Sequence, residues 1–116
     1  MKFRILCCIA GLSLPTYTLS EITFSSGASI SGDMTIDASQ GVTQGTNLLH
    51  SFEIFNVNQS ESATFTGPDA INNVIARVTG STQSNIQGML RSSIVSADLF
   101  LINPNGIVFG AGVVIS

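Results

Sequence analysis

Leu99-Phe100-Leu101-Ile102 and Ile107-Val108-Phe109 are two short apolar runs, and Asn103-Pro104-Asn105-Gly106 stands between them. That tetrapeptide leaves the backbone little choice. Asn103 can fold its amide back on the chain as an Asx turn, Pro104 brings the φ that a type I turn wants at its second position, and Asn105 tolerates the third. Gly106 then supplies a conformation with no Cβ to obstruct it. The flanking runs fit buried strands better than amphipathic helix turns. A strand, a corner and a second strand are therefore written into this segment, with Asn103, Pro104, Asn105, Gly106 and Ile107 as the structural turn.

The same punctuation runs through the chain from Glu21 onward. Apolar or alternating runs occur at Ile22 to Phe24, Ala28 to Ile30, Met34 to Ile36, Leu48 to Val57, Ala63 to Phe65, Val74 to Val78, Ile94-Val95 and Val113 to Ile115. Small polar separators lie between them: Ser25-Ser26-Gly27, Ser31-Gly32-Asp33, Ala38-Ser39-Gln40-Gly41, Gly67-Pro68-Asp69 and Gly80-Ser81-Thr82. This is the pattern of an all-β fold. Helix competes only over Asp69 to Arg77, where Pro68-Asp69 resembles a start, but β-branched residues and Asn72-Asn73 favour a strand with at most one helical turn. Sandwich, barrel and solenoid remain open on this pattern. Tight strands joined by Gly, Ser and Asn corners, with no Trp and 9% charged residues, suit a parallel β-helix. In such a coil Asn103 and Asn105 would satisfy corner carbonyl and amide groups, while Ile102, Ile107 and Phe109 face the interior. No fixed repeat is visible.

The charge is informative mainly by what it excludes. A net charge of −3 and a pI near 4.6 leave no basic surface for nucleic acid or anionic lipid. The N-terminus has the layout of a secretory signal peptide over residues 1–20: Lys2 and Arg4 precede an apolar core from Ile5 to Leu14, Pro15 breaks it, and Thr18 and Ser20 occupy the small-residue positions before a cut. The core is too short to span a bilayer. Both cysteines, Cys7 and Cys8, lie within it, so the chain from Glu21 onward could form no disulfide.

Chemistry-bearing clusters do not emerge. Glu21, Asp33, Asp37, Glu53, Glu61, Asp69 and Asp98 are scattered over turns and strand edges, with no close general acid and base pair. Asp33 and Asp37 could share a strand face, but a calcium loop packs its oxygen ligands far more densely. His50 is the single histidine, so neither a nucleophile–base–orienter set nor a zinc site can be assembled. Gly110-Ala111-Gly112 lacks the helix start of a phosphate loop. Asn58-Gln59-Ser60 reads as a surface turn, and Phe52, Phe55 and Phe65 read most simply as core. The expectation is a protein with no cofactor, no metal and no enzymatic activity.

Ala97 to Gly110, with its NPNG centre, resembles the signature of the filamentous haemagglutinin N-terminal domain, the secretion domain of two-partner secretion exoproteins. More segments follow in the family's order: Leu49-His50-Ser51-Phe52-Glu53-Ile54-Phe55-Asn56-Val57, then Ala63-Thr64-Phe65, then Asn73 to Gly80, then Ser84-Asn85-Ile86-Gln87-Gly88. Gly80-Ser81-Thr82-Gln83-Ser84 departs from it by lacking a second Asn-Pro motif. The resemblance implies an all-β, right-handed parallel β-helix, a single-stranded solenoid with N-terminal capping strands supplied by Ile22 to Ile36. It also implies that residues 21–116 are the N-terminal part of such a domain, open at the C-terminal end.

By the same resemblance, the chain serves a large surface or secreted adhesin-like exoprotein of a Gram-negative-type bacterium. It would leave through the Sec machinery by its leader and cross the periplasm. There the periplasmic domains of an outer-membrane β-barrel transporter would recognise it while still unfolded or partly extended, and it would nucleate β-helix folding outside the cell. Candidate recognition residues are Phe52, Phe55, Asn56, Val57, Asn103 and Asn105. Two other classes compete: a β-helical polysaccharide-active enzyme fragment, which needs clustered carboxylates or basic catalytic residues on one face, and a surface fibre protein that self-associates through its open β end.

Overall fold

Alternation along Asn47–Phe55 shows how the fold is built. Leu48, His50 and Phe52 are buried while Asn47, Leu49 and Ser51 are half-exposed, the period-two pattern of a strand with one face inward; a register shift against the strand Ile22–Phe24 then leaves Glu53 exposed and Ile54 half-exposed and turns Phe55 inward. The computed structural model describes residues 2–7 and 22–116. Its strands, in chain order, are β1 (Phe3–Cys7), β2 (Ile22–Phe24), β3 (Ser29–Ile30), β4 (Asp33–Asp37), β5 (Val42–Gln44), β6 (Asn47–Phe55), β7 (Ser62–Thr66), β8 (Asn73–Val78), β9 (Ser84–Ile86), β10 (Met89–Ser92), β11 (Asp98–Asn103), β12 (Ile107–Phe109) and β13 (Val114–Ile115). The one helical turn among the described residues is a 3-10 turn over Ala38–Gln40, with Asp37 and Gln40 forming a reciprocal capping box.

The chain winds as a β-solenoid of about three turns. A first sheet stacks β6, β8, β11 and β1 in parallel. A second stacks β4, β7, β10 and β13 in parallel. A third pairs β9 with β12, and an isolated bridge from Val57 to Ile86 extends it to the preceding coil. Parallel register turns sequence into interior columns. Leu48, Val74 and Leu99 stand in one, His50, Ala76 and Leu101 in the next, and Met34, Ala63, Leu90 and Ile115 in a third across the core. Each Leu, Val or Met withdrawn from water in these columns contributes about 1.5–3 kcal/mol.

The all-β reading and the parallel stack both hold, with three corrections in detail. Ile94-Val95 is a bend rather than a strand, because Ile94 turns inward to cover the core while Val95 is 82% exposed. Ile102 points out of the coil: the buried residues of β11 are Leu99, Leu101 and Asn103, and strict alternation leaves Ile102 on the outer face. Ile107 and Phe109 stand in register with the buried Ser84 and Ile86, but only Ile107 packs on the core, and Phe109 is exposed. The cap is also drawn differently. β2 and β5 lie antiparallel on β6, and β3 lies antiparallel on β2, whereas Met34 and Ile36 already belong to the first parallel strand of the second sheet. Most of the segment read as a signal peptide, with the expected cut after Ser20, lies outside the described residues; Phe3–Cys7, which span part of its basic region and the start of its apolar core, form β1.

Candidate functional site

The NPNG corner closes with the bonds its residues call for. The Gly106 amide donates to the Asn103 carbonyl at 3.0 Å, completing the turn, and the Asn105 amide donates to Asn103 Oδ1 at 2.9 Å, the Asx closure. Gly106 adopts φ 108°, a conformation that side chains other than hydrogen resist. What the corner does beyond itself decides its role. Asn103, fully buried, donates from Nδ2 to the Thr82 carbonyl at 3.1 Å and to Ser84 Oγ at 2.9 Å. Asn105 Nδ2 reaches the Gly80 carbonyl at 2.7 Å, and the Ser84 amide donates to the Gly106 carbonyl at 3.0 Å. The turn is thus a set of polar staples between one coil and the one before it.

Asn56 performs the same task one coil earlier. It is 4% exposed, and its Oδ1 accepts the Asn85 amide at 2.8 Å. The neighbouring Val57 amide donates to the Asn85 carbonyl at 3.0 Å, and the Gln87 amide to the Val57 carbonyl at 2.7 Å. Asn56, Asn103 and Asn105 therefore meet on one corner of the stack, between the first and third sheets. Gly80 sits there because a Cβ at its position would fall on the Glu53 carbonyl of the coil beneath. Sequence reasoning placed Gly80 and Thr82 in a separator and Ser84 at the head of the next family-like segment, and missed that their carbonyls and hydroxyl receive the asparagines; only the small-residue content of that stretch signals it.

The aromatic members of the predicted set are placed elsewhere. Phe52 and Phe55 are 0% and 1% exposed and join Phe24 and Phe65 in one cluster. Ring centroids lie 5.2 Å apart for Phe24 and Phe52, 5.0 Å for Phe52 and Phe55 in a T-shaped pair, and 6.1 Å for the stacked Phe55 and Phe65. Val57 is likewise fully buried. Of the candidate recognition residues only Asn105 is exposed in the folded coil, and Pro104 beside it is exposed as well.

His50 belongs to this aromatic core. It is 2% exposed, its ring lies 5.4 Å from that of Phe65 and stacks on Phe52 at 5.9 Å, and Gly41 is pressed against it so closely that a Cβ there would stand 2.8 Å from Nδ1. Neither ring nitrogen makes a well-formed hydrogen bond. Burial therefore pushes the imidazole below its usual value of 6.5, with the Gln40 backbone and the Asp37 carboxylate pulling weakly the other way.

The sign for stability follows from this shift. The unfolded chain takes up a proton near pH 6.5 and the folded one resists, so the stability is whole above that value and is lost as the pH falls below it. Urea unfolding is expected to give a lower stability at pH 5.5 than at pH 7.5, a difference that shrinks in His50→Phe. Asp37 acts in a separate window. The hydroxyl and amide of Ser39 hold its carboxyl below the ordinary range, so its contribution fades only as the pH falls through the carboxylate range.

Asp33 and Asp37 lie on one face of β4, as the spacing predicts, yet each is engaged with protein hydroxyls: Asp33 with Ser62 at 3.1 Å, and Asp37 with Ser39 at 2.7 Å and Thr66 at 3.2 Å. Among the described residues no group of His, Cys, Asp and Glu is arranged to hold a metal ion.

Comparison with known proteins places this geometry. A family model described as the TPS secretion domain matches residues 19–115. The chain is similar to the heme/hemopexin-binding protein of Haemophilus influenzae, with 36% identity over 85 residues; the match covers 73% of this chain and 8% of that protein. No solved structure matches the chain.

Proposed function

Because the chain belongs to the TPS secretion domain family, we propose that it directs a non-enzymatic exoprotein to a partner transporter in the outer membrane and then nucleates the exoprotein's folding outside the cell. The observation that carries this reading is the burial of Phe52, Phe55 and Val57. A transporter's periplasmic domains can read these side chains only in an extended chain. Once the coil closes, the recognised groups are inside it, and the chain can no longer rebind. Folding then makes each step of export irreversible, with the aromatic cluster and the asparagine corners forming the nucleus. The leader carries the chain to the periplasm, and the mature protein ends on the surface or in the medium.

The enzyme reading requires clustered carboxylates, whereas Asp33 and Asp37 are bound to Ser62, Ser39 and Thr66. Self-association has a specific observation in its favour: Val108, Phe109, Val114 and Ile115, all on the last coil, are 36–48% exposed. It is compatible with the secretion role.

The test is export from cells that carry the transporter. Asn103→Ala with Asn105→Ala is expected to reduce secretion severely. Asn72→Ala with Asn73→Ala, which removes one side-chain bond from Asn73 to Asn47 at 2.9 Å, should reduce it little. Equal secretion of the two double variants would overturn the assignment of the corner.

A further inference from the structure

On its far side from β8, strand β11 carries β1, in parallel register from Phe3 opposite Leu99 to Cys7 opposite Asn103. This is the place a following coil would need for its own strand. β1 meets the requirements of that place closely. The Leu99 amide donates to the Lys2 carbonyl at 3.0 Å, and the Lys2 amide reaches Asp98 Oδ1 at 3.3 Å. Phe3 continues the interior column of Leu48, Val74 and Leu99, packs on the core, and meets the ring of Phe109 edge-on with centroids 6.1 Å apart. Ile5 stands over Leu101, and the exposed Arg4 falls opposite Phe100 on the outer face.

We propose that the outer edge of β11 is a strand-accepting surface and that its occupant is this chain's own N-terminal segment, which closes the stack against further strands while it stays attached. A bare β11 edge presents a row of backbone donors and acceptors to any extended chain. Addition of a parallel strand satisfies that row, and two alternating apolar side chains, Phe3 and Ile5, set the register. The consequence rests on the secretion reading: removing the leader and freeing the growing end of the stack become one event, so a chain that keeps its leader cannot lengthen its coil.

Hydrogen exchange on the full chain, read residue by residue, tests this. Amides alternate in direction along β11: Asp98 bonds back to Asn72, Leu99 bonds to Lys2, and by the same alternation Leu101 faces β1 while Phe100 and Ile102 face β8. Phe3→Asp combined with Ile5→Asp is expected to lower protection about tenfold or more at Leu99 and Leu101 and to leave Phe100 and Ile102 unchanged. Arg4→Ala should leave all four unchanged. Retained protection at Leu99 and Leu101 in the double variant would overturn the proposal. So would an equal loss at all four residues, or the same loss in Arg4→Ala. Secretion does not enter this measurement, so failure here and failure of export in the asparagine variants are separate results.

Discussion

Asn103→Ala is expected to lower the unfolding free energy by about 3 kcal/mol, measured by urea denaturation of the full chain. Asn103 is fully buried and its amide serves both coils at once: Nδ2 feeds the Thr82 carbonyl and the Ser84 hydroxyl, and Oδ1 receives the Asn105 amide. Alanine removes that hub and strands its former partners beside a small void. A buried polar group left without its partner costs about 1–3 kcal/mol, and more than one is affected here. Asn103→Asp separates the two functions of the side chain. It keeps an acceptor for Asn105 but turns an oxygen toward the Thr82 carbonyl where an amide donor stood, so it should be at least as damaging as alanine. Asn105→Ala, at an exposed position with its link to the Gly80 carbonyl, should cost only about 1 kcal/mol. If Asn105→Ala proves the more destabilising of the two, the account of buried Asn103 as the hub of the corner is wrong.

Phe52→Ala should be the most destructive single substitution, at about 3–5 kcal/mol, enough to leave much of the population unfolded at ambient temperature. Phe52 is fully buried and touches the rings of Phe24, Phe55, Phe65 and His50. Its backbone carbonyl also accepts the Thr79 amide of the next coil at 2.8 Å. Removing the ring opens a cavity where the antiparallel cap, the first coil and the second sheet converge, and backbone pairing on both sides prevents the walls from closing in. Phe109→Ala is the contrast. At 38% exposure on the last coil, its ring has solvent on one side and Phe3 on the other, and about 1 kcal/mol is expected. Thermal unfolding of the two variants side by side checks the ordering, and similar midpoints would contradict the placing of the main stabilising contacts in the aromatic cluster.

The corner was legible because its chemistry is local. Asn103, Pro104, Asn105 and Gly106 close their own turn with bonds spanning two or three residues, and no distant partner is needed for that. Short runs such as Ala63 to Phe65 and Val74 to Val78 were likewise legible as strands from their own composition. Ser84–Ile86 and Met89–Ser92 were not read as strands, since neither run is long enough to show a period and both are strands through pairing with their neighbours in the stack. The coil repeat was hidden for a related reason. Bonded partners on successive coils are 26 residues apart at Asn47 and Asn73, 29 at Asn56 and Asn85, 28 at Phe65 and Ser93, and 25 at Gly80 and Asn105. Corners of unequal length absorb the difference, so register is kept in space while the spacing drifts along the chain.

The amino-acid sequence by itself determined that this protein is made of short strands and where its sharpest corner lies. These follow from φ preferences, side-chain branching and charge, which act within a few residues. Only the tertiary structure decided which side of each strand is inside, so that Ile102 faces outward while a polar Asn103 is buried. It also decided that Asn56, Asn103 and Asn105 share one corner, that His50 sits among phenylalanine rings, and that Phe3–Cys7 pair with β11. Those outcomes depend on parallel register between segments some 25–29 residues apart, and that register is set by the packing of a shared interior.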